Sequence, residues 1–256
     1  MKVSLFVTCL TDNFYPRVGR AVVAVLEHLG YEVDFPPSQT CCGQPMFNCG
    51  SHADAAELAR RWLTTFERSE AVVTPSGSCC AMVRCEYPHL FEHDEEMLGR
   101  VNALAARTYD FAEFLLKVAK IDLRELACRW PDGERTATVT YHYSCHLRGL
   151  GMTDETVRLL DRIEGVRVVP LEKTDQCCGF GGTFAVKYPQ ISGAMVADKT
   201  DCIRRSGAGV LVCNDGGCSL NITGRLHREG QPVTTKHIAE IIAEGLGLMP
   251  VELGGN

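Results

Sequence analysis

The sequence predicts an α/β fold made of two tandem homologous domains, each a small, mainly parallel sheet flanked by helices. Three observations predict it. A four-cysteine pattern is written twice. Short apolar runs alternate with amphipathic segments in the same order in both halves. The length of 256 residues, at 45% hydrophobic and 23% charged, suits two domains of about 100–150 residues each.

The first cysteine set is Cys9, Cys41, Cys42 and Cys79; the second is Cys145, Cys177, Cys178 and Cys218. From the single cysteine to the pair is 32 residues in both sets, and the copies lie 136 residues apart. The last cysteine is offset by 139, so the second copy is three residues longer there. A glycine follows each pair, Gly43 and Gly179, and permits the backbone turn that lets adjacent thiols face one site. A disulfide between sequence neighbours would be strained, so the pairs read as ligands. Four thiolates are what a tetrahedral zinc or an iron–sulfur cluster needs.

Taken in order, residues 2–7 are an apolar strand delivering Cys9. Residues 18–29 have helical spacing, with Val18, Val22, Val25, Leu26 and Leu29 on one face, and Gly30 stops the helix. Residues 31–35 alternate as a strand, and the loop beyond carries Cys41-Cys42-Gly43. A helix spans about 51–68, a buried strand 71–74, and a turn leads to Cys79. Residues 93–126 read as helices, with Asp110 capping 111–118. Turn chemistry at 130–133 places the domain boundary there: 1–132 is the first domain and 133–256 the second. The second domain repeats the plan: strand 136–143, helix 154–163, strand 166–171, loop 177–182, helix 189–205 and strand 209–213. Its end reads differently, with an extra strand at 232–235 and a closing helix at 237–246. The loops bearing cysteines lie at or near carboxyl ends of strands, the edge where open α/β sheets place their sites. Each sulfur set is therefore expected to gather as a separate group at one sheet edge.

A formal net charge of −6 argues against nucleic acid as partner. No apolar run is long enough to span a membrane, and the short N-terminal strand does not read as a signal peptide. Fourteen cysteines without such a signal point to a reducing, cytoplasmic setting, where thiols bind metal or do redox chemistry. Cys49, Cys80, Cys85, Cys128, Cys202 and Cys213 lie outside the repeat and read as inert small hydrophobes. Cys80 and Cys213 lie near a proposed ligand and are candidates for a fifth thiolate. His146, beside Cys145, is a candidate ligand or proton donor; His142 and His237 rank below it. The Gly179–Phe184 stretch has Phe184 where a dinucleotide loop needs its third glycine.

These motifs resemble the duplicated cysteine-rich "CCG" domain of heterodisulfide reductases and of the iron–sulfur subunits of glycolate and anaerobic glycerol-3-phosphate oxidation. The chain is most similar to the L-lactate utilisation protein A family, nearly end to end. The resemblance is carried by Cys41-Cys42-Gly43-Gln44-Pro45, Pro75-Ser76-Gly77-Ser78-Cys79, Tyr87-Pro88-His89-Leu90-Phe91 and Cys177-Cys178-Gly179-Phe180-Gly181-Gly182-Thr183-Phe184. It implies a cytoplasmic component of a multi-protein system oxidising L-lactate to pyruvate, acting with two further proteins, one of ferredoxin type. The heterodisulfide reductase relatives bind a non-cubane cluster through five cysteines, ending in Cys-x-x-Cys; here Met82 and Asn221 stand at the fifth positions. Four ligands per site suit a [4Fe–4S] cluster, one or two per chain.

The expected function is thus an iron–sulfur subunit relaying electrons in lactate oxidation. The sequence carries no flavin or nicotinamide fingerprint, so the hydride acceptor is expected in a partner. The rivals are a heterodisulfide-reductase-like thiol/disulfide oxidoreductase and a zinc-stapled interaction module.

Overall fold

The computed structural model describes residues 1–131 and 136–251. Each half holds one wholly parallel sheet. In the first, β1 (Lys2–Leu5), β2 (Glu32–Asp34), β3 (Ala71–Thr74) and β4 (Thr108–Asp110) lie in the order β2-β1-β3-β4. In the second, β5 (Ala137–His142), β6 (Val166–Val168), β7 (Val210–Cys213) and β8 (Thr234–Lys236) lie in the order β6-β5-β7-β8. The two offsets found in the cysteines reappear in the strand register: Val3 pairs with Ala71, and Val139 with Val210. Parallel neighbours cannot be joined by a tight hairpin, so helical crossovers connect them.

The helix Pro16–His28 starts on a proline, whose missing N–H is no loss there, and buries Val18, Ala21, Val22, Val25 and Leu26. The helix His52–Phe66 buries Ala55, Ala59, Trp62, Leu63 and Phe66. Under the first cysteine loop these pack into an aromatic cluster, with Trp62 against Phe6 and Tyr87 at ring-centroid distances of 5.7 Å. Among the described residues, no helix is long and apolar enough to cross a membrane.

The two halves share a core. One hydrophobic cluster runs from Val3, Leu5, Val25 and Phe114 to Leu147, Leu160, Ile238 and Ile242. The closing helix Ile238–Gly245 packs on Pro16–His28, where Glu244 takes Arg17 at 2.8 Å and Lys236 at 2.6 Å. The boundary read from the sequence, between 132 and 133, lies outside the described residues. Just before it, Trp130 already belongs to the second half, its N–H donating to Glu164 O at 2.7 Å.

One sequence expectation is corrected. Residues 108–110 form strand β4, not part of a helical run; helices Glu95–Ala105 and Phe111–Lys117 flank it. Three residues are too few to show a period, and pairing with β3 decides their state. With β4 in place the halves match strand for strand among the described residues, and β8 is the counterpart of β4 and not an extra strand.

Asp110 caps the following helix as expected, accepting from Ala112 N at 2.9 Å. Its other oxygen has no partner among the described residues. Burial pushes its carboxyl up from 3.8 to about 7, against the Ala112 bond that lowers it. The folded state therefore keeps a proton that the unfolded chain gives up near pH 4, and stability falls as pH rises from about 4 to 7. Asp110→Asn keeps the cap without the charge. It is expected to stabilise by up to about 4 kcal/mol at pH 8 and by almost nothing at pH 4. Denaturant melts at the two pH values check this; an equal effect at both would refute it.

Candidate metal centres

Each cysteine is placed by a local device. Cys9 and Cys145 open the short helices Cys9–Phe14 and Cys145–Gly149. Cys79 and Cys218 sit in the first turns of Gly77–Ala81 and Gly216–Arg228, capped by Ser76 and Asp215. Backbone N–H groups at such helix starts favour thiolate. The Cys-Cys pairs turn on left-handed glycines, φ 86° at Gly43 and 81° at Gly179. A Cβ on Gly179 would also meet Ser192 O and Met195 Cβ at 2.9 Å, so only glycine serves there. Tyr87 fixes the first pair by donating to Cys42 O at 2.9 Å, and Asn221 fixes the second by donating to Cys178 O at 2.8 Å. Asn221 and Met82 are the positions where five-cysteine relatives carry their last ligand; Met82 is core here.

In each half the four sulfurs form a connected chain. Cys9 Sγ lies 3.8 Å from Cys41 Sγ, and Cys42 Sγ 3.4 Å from Cys79 Sγ. Cys178 Sγ lies 3.0 Å from Cys218 Sγ, and Cys145 touches Cys177. The first sulfur of each pair collects the negative charge. Hydrogen bonds from Cys42 and Cys9, with the Gly43 N–H, draw Cys41 down to about 3. Bonds from Cys145 and Cys178, with the Gly179 N–H, draw Cys177 down to about 2. Their neighbours Cys9, Cys42, Cys145, Cys178 and Cys218 are all raised, first by hydrogen bonding to an adjacent sulfur and then by burial. Like charges in contact cannot all ionise. A cation among them reverses this, because it releases the thiol protons as it binds. The donor sets therefore fit a metal centre.

Each set gathers as its own group of sulfurs within one half, and the two groups open onto the same space. All eight sulfurs line one cavity of about 340 Å³ between the halves. Asp215 ties its walls together. One carboxylate oxygen accepts from Gly217 N and Cys218 N at 3.1 and 3.3 Å, and the other from Ser78 N at 3.0 Å across the junction. Gln44 reaches over to His146 Nε2 at 3.0 Å, while His146 Nδ1 lies 3.6 Å from Cys145 Sγ. His146 thus lines the cavity, with Gln44 as its hydrogen-bond partner.

The fifth-thiolate candidates part company. Cys213 donates to Asp215 O at 3.5 Å and acts on Cys218, which places it at the second set. Cys80 turns away, towards Asp110 and Arg84. Cys49 is exposed beside Thr183 Oγ1 at 3.1 Å, and Cys128 and Cys202 are core; all fourteen thiols are unpaired. His237 caps the last helix and is structural. His142, ranked low from sequence, is 1% exposed, and a ring nitrogen lies within 4.8 Å of both Cys178 and Cys218 Sγ. Burial, with Lys199 nearby, depresses it to about 4. Asp215 was missed altogether; the Asp-Gly-Gly-Cys order, an N-cap residue just ahead of a ligand, was the available signal.

Comparison with known proteins agrees with this architecture. The family model "Cysteine-rich domain" (CCG) matches residues 3–84 and again 139–223. A lactate utilization protein A of Exiguobacterium sp. is 46% identical over 95% of this chain and 98% of its own length. That of Geobacillus kaustophilus is 47% identical over 94% and 98%, and that of Bacillus licheniformis 46% over 94% and 99%. A lactose-bound LacI family transcriptional regulator from Arthrobacter sp. FB24 aligns over 92% of this chain and 75% of its own. At a TM-score of 0.26 and 14% identity that likeness is distant and carries no weight. With the cysteine-rich domain present twice and these relatives matched over almost their full length, the chain belongs to the lactate utilization protein A family.

Proposed function

We propose that this chain is an iron–sulfur subunit of a multi-protein system oxidising L-lactate to pyruvate. Cys9, Cys41, Cys42 and Cys79 hold one centre, and Cys145, Cys177, Cys178 and Cys218 the other. The observation carrying the reading is that eight unpaired thiols from two repeats meet around one cavity. Iron–sulfur clusters, when bound, supply one-electron transfer, and lactate gives up two electrons, so paired centres suit the stoichiometry. The protein's own groups do the rest. The thiolates bind. The Gly43 and Gly179 N–H groups, 3.4 and 3.3 Å from Cys41 and Cys177 Sγ, hold the sulfur lone pairs in direction. Asp215 keeps both helix starts facing the cavity. The system works in the cytoplasm, where the thiols stay reduced, with two further proteins, one of ferredoxin type.

A second reading has an observation of its own. Around one ion with bonds of about 2.3 Å, tetrahedral sulfur–sulfur edges are about 3.8 Å. The sulfur–sulfur contacts of 3.0–3.8 Å are near that spacing. A cluster holds its thiolates farther apart, and the adjoining cavity gives them the room. Zinc binding would make the chain a stapled interaction module. The thiol/disulfide reading has less support, since Cys213 supplies a fifth sulfur at one set only.

Anaerobic purification with iron, sulfide and zinc analysis, and EPR before and after dithionite, separates these readings. About eight irons with equal sulfide and a signal on reduction are expected for two cubane centres. Zinc without sulfide would sink the redox reading. Cys42→Ser and Cys178→Ser should each lower iron by about half and leave the other centre's signal in place. Loss of all iron in either variant would argue for one shared centre.

A further inference from the structure

The two sulfur sets are alike, but their surroundings are not. Position 142 lies 136 residues after position 6, the same offset that relates the two cysteine sets. In the first half this position is Phe6, edge-on to Trp62 and Phe66 at 5.7 and 5.6 Å. In the second half the aromatic cluster is absent among the described residues, and the position holds His142 at the end of β5, paired in register with Cys213. The position of Cys213 corresponds in turn to Thr74.

His142 is buried, and neither ring nitrogen has a hydrogen-bond partner among the described residues. Buried polar groups are almost always paired, so a doubly unpaired imidazole calls for a cause. The charged groups acting on it are Lys199, Asp215, Cys177 and Arg148. Two of these are already engaged: Lys199 donates to Lys173 O at 2.7 Å, and Asp215 accepts from the helix starts. What stands in front of the ring is sulfur, with Cys178 and Cys218 Sγ within 4.8 Å of a ring nitrogen and of each other.

We propose that His142 is a nitrogen donor to the second centre, joining Cys178 and Cys218, so that the first centre is all-sulfur and the second has mixed sulfur and imidazole ligation. The inference rests on the iron–sulfur reading above. Imidazole is a common ligand for iron and zinc alike, and a neutral nitrogen donor brings less negative charge to iron than a further thiolate would, which favours a higher reduction potential. The first half has no such donor at the matching position, because Phe6 fills it.

The test uses the full-length chain, purified anaerobically from cells fed ¹⁵N-histidine and reduced with dithionite. Pulsed EPR is expected to show the coupling of a directly bound histidine nitrogen on one of the two reduced signals and none on the other. His142→Phe installs the residue the first half already tolerates. It should abolish that coupling and shift one reduction step while the other holds. Iron and sulfide present with no bound-nitrogen coupling in the unaltered protein overturns the inference and leaves the relay standing. So does a coupling that survives in His142→Phe. Protein without iron and sulfide overturns both.

Discussion

Thiols in contact repel one another's charge, and this repulsion is the constraint on which the structure turns. In each repeat four sulfurs sit in a contact chain, and hydrogen bonds from its neighbours draw the first thiol of the Cys-Cys pair down. Cys9, Cys42, Cys145, Cys178 and Cys218 are pushed up beside it. The helix starts, the left-handed glycines and the capped turns are all arranged to bring these groups together against that repulsion. Such an arrangement has no purpose for packing, which simple apolar residues serve better. It makes sense when a cation or a cationic cluster takes the place of the protons.

Duplication then brings the two sets together. Each parallel sheet delivers its single cysteines after its two central strands and its Cys-Cys pair after an edge strand, on the carboxyl side where open α/β sheets place their sites. The shared core turns the two edges towards one cavity. At the contact the halves approach closely: a Cβ on Gly77 would lie 2.6 Å from Leu147 Cδ2. Close approach lets the single carboxylate of Asp215 cap one helix and hold the start of the other. The junction is thus part of both sites, and neither half carries its site alone.

The sequence was most legible where the repeat spoke twice. The 136- and 139-residue offsets of the cysteines are the offsets of the strand register, so the duplicated sheets could be read from spacing alone. Local rules also found Asp110 as a helix cap and Gly30 as a stop. What escaped was decided at a distance. Strand β4 is three residues whose state comes from β3. Asp215 looks like an ordinary cap, and its second partner, Ser78, lies 137 residues away. That both sulfur sets share one cavity depends on how the halves pack, which no spacing records. His142 ranked below His146 because it has no cysteine beside it in sequence. Only the absence of any partner among the described residues distinguishes it.

The places where the repeats differ carry as much information as those where they agree. If the two halves had kept identical surroundings, two identical centres would have equal affinity for an electron, and nothing in the chain would favour passage one way. Instead Phe6 corresponds to His142 and Thr74 to Cys213, both at the sheet edge beside the sulfurs. The first set lies on an aromatic cluster of Phe6, Trp62, Phe66 and Tyr87. The second lies near a buried imidazole, an additional thiol and the Lys199 ammonium. In a centre held by the first set, low polarity would raise the cost of placing charge, while in one held by the second, nearby positive charge and the proposed imidazole donor would lower the cost of an added electron. If the two proposed centres are present, this divergence would favour electron passage from the apolar first half to the more polar second.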